Sequence, residues 1–214
     1  MRQARAQIIL RETNEMDIAQ IKAMINETWD WASLVTERNT LDAALGLYLN
    51  QILYDSTFGR VAMLDDEVAG VIFGCLNGKP PQFRLLLENT TEHALVLLNA
   101  PETEREDIRI IFNGLHKTYE ELISGREKDY DGILEFFVVS EKVRGLGVGK
   151  MLWNELKDYL QKNNAGSIYV YTDTDCNYGF YDHAGFKKVS QQELSCDFSV
   201  GKWTVDVLDR KSVV

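Results

Sequence analysis

The sequence is poor in proline, histidine and cysteine, and these shortages exclude several classes of protein. Of 214 residues, three are prolines, and two of these are adjacent, Pro80 and Pro81, so no proline-rich linker divides the chain. The three cysteines, Cys75, Cys176 and Cys196, lie far apart and form no CxxC pair. Their spacing fits neither a disulfide framework nor a zinc site, and the three histidines have no ligand spacing, so we expect no metal.

The sequence also lacks long apolar runs and an excess of positive charge. No segment approaches the roughly 18 apolar residues of a membrane span, and residues 1–10 lack the features of a signal peptide. We therefore expect a cytoplasmic protein without a membrane partner. The formal net charge of −10 repels phosphate backbones, so we expect no nucleic-acid partner and a mild preference for cationic small molecules or basic peptides.

The length of the chain fits one domain over residues 1–214, and its hydrophobic periodicity predicts a mixed α/β architecture. The first half is predicted to contain a strand at 8–11, a helix at 14–29 capped by Asn14, a helix at 41–53, and a hairpin of strands 61–64 and 68–76. Asp65 and Asp66 form the turn of this hairpin.

Residues 79–130 are predicted to be a helical insertion. Within it, Thr103 and Glu106 have the spacing of a capping box at the start of a helix, and Gly125 suits its end. The part from 83 to 98 is apolar without a clear period. The second half of the chain is predicted to contain a strand at 133–139, a helix at 146–160, a strand at 168–171, a short helix at 177–184, and strands at 187–194 and 203–208.

The most informative segment leads from the strand at 133–139 into a glycine-rich turn that opens a helix. The turn contains Gly145, Gly147 and Gly149, and unpaired amides at a helix N-terminus can hold an anion there. A Walker A loop is excluded because Met151 follows Lys150 where serine or threonine is needed. The GxGxG spacing also differs from the GxGxxG dinucleotide fingerprint.

The pattern Arg144-x-x-Gly147-x-Gly149 resembles the pyrophosphate-binding signature of the GNAT acetyltransferase superfamily. The segment from Asn177 to Phe186 resembles a later N-x-x-x-[F/Y]-Y-x-x-x-G-F segment of the same family, and the order of strands and helices is similar over nearly the whole chain. One departure is Glu141, which stands where the family often has proline. The resemblance implies a mixed central sheet flanked by helices.

The resemblance further implies an enzyme that moves the acetyl group of acetyl-CoA directly to a primary amine in a ternary complex. The acceptor, a small-molecule or peptide amine, stays open, as does the oligomeric state, for which a homodimer is one expectation. A non-catalytic acyl-CoA-binding sensor or regulatory module on the same fold is the alternative. The implied CoA-binding residues are Phe137, Val138, Val139, Arg144, Gly145, Leu146, Gly147, Val148, Gly149, Lys150 and Asn177.

Two residues are candidates for proton transfer. Glu135 lies in a strongly apolar strand, where an acid costs free energy unless it is used or paired, and related enzymes often place an acid nine residues before the arginine. It is the candidate base for the amine, with Asp131 as the alternative. The resemblance places Tyr181 beside the CoA sulfur as the candidate acid. Trp29 and Trp31 fit either a pocket wall or the core.

Overall fold

The computed structural model describes residues 7–174, 176 and 179–213, which form a mixed sheet with helices on both faces. The strands are β1 (Ile8–Glu12), β2 (Phe58–Leu64), β3 (Glu67–Leu76), β4 (Gly132–Val139), β5 (Ser167–Asp173), β6 (Lys187–Phe198) and β7 (Gly201–Val213). The helices are α1 (Ile18–Trp29), α2 (Arg38–Asp55), α3 (Thr90–Leu98), α4 (Glu102–Ile123), α5 (Val148–Lys162) and α6 (Gly179–His183). The strand order is β1-β2-β3-β4-β5-β7-β6.

The predicted first half of the chain is confirmed. Asn14 and Asp17 form a capping box around a short 3-10 helix that leads into α1, and β2 and β3 pair antiparallel. Asp65 turns the hairpin in the left-handed region, with a φ of 54°. An aspartate tolerates this conformation better than most residues, because its short polar side chain can bond locally.

The predicted capping box at Thr103 and Glu106 is wrong, because α4 starts before it. Pro101 occupies the N-cap position of α4, so Thr103 already lies in the first turn. The Glu106 carboxylate accepts a hydrogen bond from Arg109 Nε at 2.8 Å instead of returning to the helix start. Gly125, with a φ of 77°, follows the end of α4 as predicted.

The segment 83–98, which is apolar without a clear period in the sequence, contains a short 3-10 helix, Arg84–Leu86, and the helix α3. Asn89 caps α3 by accepting hydrogen bonds from the amides of Thr91 and Glu92. No residue of α3 is fully buried, and its apolar residues include the exposed Leu95 and Leu98 as well as Leu97, which packs against the core. The apolar residues therefore do not follow one face of the helix. The interpretation of residues 79–130 as an insertion stays a prediction.

The core has a layer on each face of the sheet. On one face α1, α2 and α4 pack against the sheet through apolar side chains that include Ile21, Ile25, Leu49, Phe73 and Ile108. On the other face α5 packs through a second set that includes Leu134, Leu152, Leu156 and Ile168. In the described part of the chain no helix has the length and apolar character needed to cross a membrane.

Two irregularities in β4 create the space for a site. β4 pairs with β5 in parallel only at Gly132–Ile168 and Ile133–Tyr169, and beyond these pairs the ladder stops. On its other side β4 carries a bulge, because Gly74 pairs with Leu134 and Phe73 with Phe136. Glu135 is the extra residue of this bulge, which bends the strand and re-aims its side chains.

Candidate functional site

The glycine loop, residues 144–150, has a backbone that requires glycine at two positions. Gly145 and Gly147 have φ values of 79° and 78°, a conformation that L side chains rarely adopt. Gly147 is the N-cap of α5, so the amides from Val148 to Lys150 form the first turn and have no acceptor within the helix. These amides and the helix dipole make the loop an anion-binding site.

The loop stands where three elements meet. A Cβ on Gly149 would lie 3.5 Å from the rings of both Phe137 in β4 and Phe180 in α6. The Arg144 guanidinium contacts the Glu141 carboxylate at 2.7 Å, and both side chains are largely exposed. The first turn of α5 is therefore held directly beside the part of β4 that does not pair with β5.

A cleft of about 1250 Å³ runs from the glycine loop between β4 and β5 to the helices α1, α2 and α4. Its lysine and arginine residues lie at the opposite end from all but one of its described acidic residues; the exception, Glu141, precedes the glycine loop and pairs with Arg144. The lysine and arginine side chains among its described lining residues, Arg144 and Lys150, both belong to the glycine loop. Away from the loop the lining is acidic and aromatic, with Glu27, Glu120, Glu135, Asp173, Trp29, Tyr48, Tyr119, Tyr169 and Tyr171.

Glu135 projects into this cleft from the bulge. The side chain is partly buried, and it forms no hydrogen bond or ion pair within the described residues. Burial, with a smaller contribution from the charge of Asp55, raises the pKa of Glu135 from 4.5 to about 8. Such a value places its proton exchange close to neutral pH, which suits a general base.

Tyr181 lines the same cleft from α6 and is 7% exposed. Its ring meets those of Phe137 and Phe186 edge-on, with centroids 6.5 and 5.4 Å away. Burial raises the pKa of Tyr181 well above its usual range, so the phenol keeps its proton. The neighbouring Asp182 accepts a hydrogen bond of 2.5 Å from Arg210 of β7, which fastens α6 to the sheet.

Residues 22–186, more than half of the chain, match the acetyltransferase (GNAT) family. The chain belongs to this family. It is therefore a GNAT acetyltransferase, and the resemblance drawn from the glycine loop is confirmed.

Solved structures of GNAT proteins share the fold of this acetyltransferase at low sequence identity. A ribosomal-protein-alanine N-acetyltransferase from Brucella melitensis has a TM-score of 0.54 and 14% identity, covering 96% of this chain and 99% of the other. A PaiA N-acetyltransferase from Thermoplasma acidophilum, in complex with coenzyme A, has a TM-score of 0.53 and 13% identity, covering 97% and 99%. The apo form of an agmatine N-acetyltransferase variant has a TM-score of 0.59 and 11% identity, covering 97% and 99%. No curated protein sequence matches the chain.

Most candidate residues of this acetyltransferase line the cleft together. They are Glu135, Phe137, Val138, Val139, Arg144, Gly145, Gly147, Val148, Gly149, Lys150 and Tyr181. Leu146 is 60% exposed and is not part of the cleft lining. Asn177 lies outside the described residues.

The alternative base Asp131 lies just before β4 and outside the cleft lining. Its Oδ2 accepts hydrogen bonds from the amides of Gly166 and Ser167 at 2.7 and 2.9 Å. Asp131 therefore joins the start of β4 to the segment that leads into β5. Of the two tryptophans, Trp29 lines the cleft, whereas Trp31 is buried in the core.

Several cleft residues were not predicted from the sequence. Asp173, at the end of β5, accepts a hydrogen bond of 3.4 Å from Trp29 Nε1. Tyr119 of α4 and Tyr171 of β5 stack with their ring centroids 4.3 Å apart. Their positions depend on how α4 packs against the sheet, and a hydrophobic period does not reveal this.

Proposed function

We propose that this acetyltransferase transfers the acetyl group of acetyl-CoA to a primary amine that enters the cleft as a cation. The division of charge within one continuous cleft carries the proposal. A basic, amide-rich loop at one end suits the anionic pyrophosphate of CoA. The carboxylates and rings at the other end suit an ammonium group. We further propose that residues 1–214 act as one domain.

The unpaired edge of β4 supports a path for the pantetheine arm between these ends. Beyond Ile133 the backbone of β4 has no ladder with β5, so the groups of Phe137, Val138 and Val139 on that side can pair with the amides of an extended ligand. The thioester would then lie between Glu135 on β4 and Tyr181 on α6.

In the proposed reaction Glu135 accepts one proton from the bound ammonium. The neutral nitrogen attacks the thioester carbonyl carbon, and the nitrogen of the tetrahedral intermediate releases its second proton to solvent. The carbon–sulfur bond breaks, and the sulfur leaves as a thiolate. Tyr181 donates a hydrogen bond to this thiolate, which takes a proton from solvent, and Glu135 returns its proton to solvent. The products are the acetylated amine and free CoA, and no electrons are exchanged.

The protonation state of Cys176 favours direct transfer of the acetyl group to the amine over a mechanism with an acyl-enzyme intermediate. Cys176 lines the cleft, but burial and the nearby Asp173 raise its pKa to about 12. The thiolate is the nucleophilic form of cysteine, and at neutral pH this thiol stays protonated. The amine is then the only nucleophile that the proposed reaction needs.

A calorimetric titration with CoA and a thiol-release assay with acetyl-CoA and primary amines test the proposal. We expect tight CoA binding and amine-dependent release of thiol. Gly147→Val, which forces a side chain into a left-handed backbone and the anion cradle, should abolish binding. Gly78→Val is the matched control, because Gly78 has a φ of 76° but lies outside the cleft lining. Equal CoA affinity in the two variants would contradict the proposal, and binding without turnover would favour the sensor.

A further inference from the structure

The acceptor end of the cleft has more negative charge than the reacting amine needs. Glu135 alone accepts the proton in the proposed reaction, yet Glu27 of α1 and Glu120 of α4 also line the cleft. Both are exposed, as expected for residues at its mouth. His116, one turn before Glu120 on the same helix, contacts Glu120 Oε1 at 3.2 Å and so helps to orient that carboxylate.

The rings beside these acids supply apolar surface inside the cleft. Tyr119 directly precedes Glu120 on α4, and Trp29 follows Glu27 by two positions on α1. Tyr48 belongs to the same lining, and its ring lies 6.4 Å from that of Trp29, centroid to centroid. Burial, and after it the charges of Asp173 and Glu135, raises the pKa of Tyr48. An alkyl chain can pack against such rings, and a cation is attracted to their faces.

Helix α4, which contributes Tyr119 and Glu120 to the acceptor end, is attached to the rest of the protein on two sides. At its N-terminal part, Glu104 Oε1 accepts hydrogen bonds from the amide and hydroxyl of Thr36, between α1 and α2, at 3.0 and 2.6 Å. Asp107 accepts hydrogen bonds from the amide and hydroxyl of Ser199, in the β6–β7 turn, at 2.9 and 2.5 Å. The helix thus bridges the two elements.

We propose that the acceptor is a small linear diamine or polyamine, with its distal ammonium bound by Glu27 and Glu120. This inference rests on the proposed function and specifies its substrate class. The reacting amine lies at Glu135, the methylene chain packs between the rings, and the second cation is held at the mouth. A monoamine of the same length would make every contact except the last.

The test compares the kcat/KM of putrescine with that of butylamine, at saturating acetyl-CoA. We expect the wild-type enzyme to prefer the diamine by about tenfold, since two exposed ion pairs contribute only modestly. The double variant Glu27→Gln/Glu120→Gln should reduce this preference to near unity, because it lowers the kcat/KM of putrescine more than that of butylamine. The control Glu121→Gln/Glu193→Gln removes two charges outside the cleft lining and should keep the preference.

Equal kcat/KM for the two amines in the wild type, or an unchanged preference in the double variant, would overturn the inference. A peptide with a free N-terminus that is acetylated faster than putrescine would overturn it as well. In each case the proposed function stands, because an amine is still acetylated. If no amine is acetylated by enzyme that binds CoA, the proposed function itself fails. Circular dichroism verifies that the exposed glutamine substitutions leave the fold intact.

Discussion

At the scale of single residues, the hydroxyl of Tyr181 is the group whose removal isolates one step of the proposed reaction. Burial keeps the pKa of Tyr181 above its usual range, so the group can donate but does not ionise at neutral pH. Tyr181→Phe should lower kcat by roughly tenfold to a thousandfold and leave CoA affinity unchanged. Tyr159→Phe, which removes a hydroxyl that donates to Thr57 at 3.0 Å outside the cleft lining, should keep wild-type kcat.

Glu135 predicts the pH dependence of the rate. The carboxyl must be ionised to accept a proton, and its pKa is raised to about 8. We therefore expect kcat/KM for the amine to rise between pH 6 and about 8 and then to lose this dependence. Glu135→Gln should remove that rise and lower the rate by roughly a hundredfold or more. Asp131→Asn should keep the wild-type pH profile. If the rise is lost in Asp131→Asn and kept in Glu135→Gln, Asp131 is the base.

The same residue predicts how stability depends on pH, independently of catalysis. Between its unfolded pKa near 4.5 and its folded value of about 8, the folded protein holds a proton that the unfolded chain has released. The contribution of Glu135 to stability is therefore present below this window and is lost as the pH rises through it. From pH 6 to pH 9, wild type should lose about 2 to 4 kcal/mol relative to Glu135→Gln. Urea unfolding of both proteins at both pH values measures this relative loss of unfolding free energy. An equal loss in wild type and in Glu135→Gln would contradict the prediction.

At the scale of elements, the hydrogen bonds that attach α4 predict the effect of one substitution on the stability of the protein and on the KM values of its two substrates. Asp107 is 2% exposed, so Asp107→Ala leaves the amide and hydroxyl of Ser199 without their acceptor and should cost about 1 to 3 kcal/mol of unfolding free energy. It should also raise KM for the amine more than KM for acetyl-CoA, because α4 lines only the acceptor end. The neighbouring Glu106→Ala, at an exposed ion pair, should cost less than about 1 kcal/mol. Equal increases in both KM values would assign α4 a purely structural role.

How far the sequence predicts each element depends on whether its cause is local. The glycine loop is predicted correctly because its left-handed glycines and the helix that follows are encoded within a few residues. The bulge at Glu135 is not predicted, since it is a mismatch between β3 and β4 that neither strand contains alone. The capping box at Thr103 fails because Pro101 fixes the helix start two residues earlier.

The composition of the acceptor end is equally hard to predict. Tyr48, Tyr119 and Tyr171 come from three separate elements, and each has an ordinary place in a hydrophobic period. Only the packing of α2 and α4 against the same face of the sheet brings these rings around the cleft. Glu135 is predictable as a candidate because an acid in an apolar strand is unusual, whereas the exposed Glu27 and Glu120 resemble any surface glutamate.

At the scale of the whole molecule, the net charge of −10 predicts opposite effects of salt on the two substrates. The field attracts a cationic amine and repels anionic acetyl-CoA. Raising the ionic strength from about 0.05 to about 0.5 M shortens the Debye length. We expect kcat/KM for the amine to fall several-fold while that for acetyl-CoA is unchanged or rises. A parallel fall for both substrates would indicate a loss of folded enzyme and not of steering.

The short ladder between β4 and β5 gives the sheet a seam. The strands β1 to β4 form one hydrogen-bonded block and β5 to β7 another. The two blocks share the ladder pairs Gly132–Ile168 and Ile133–Tyr169, together with the hydrogen bonds of Asp131 to Gly166 and Ser167 at the same end. Few backbone hydrogen bonds must therefore break for one block to hinge against the other. A pantetheine arm bound along β4 as proposed would bridge the two blocks. We therefore expect substrate binding to stiffen the sheet as well as to occupy the site.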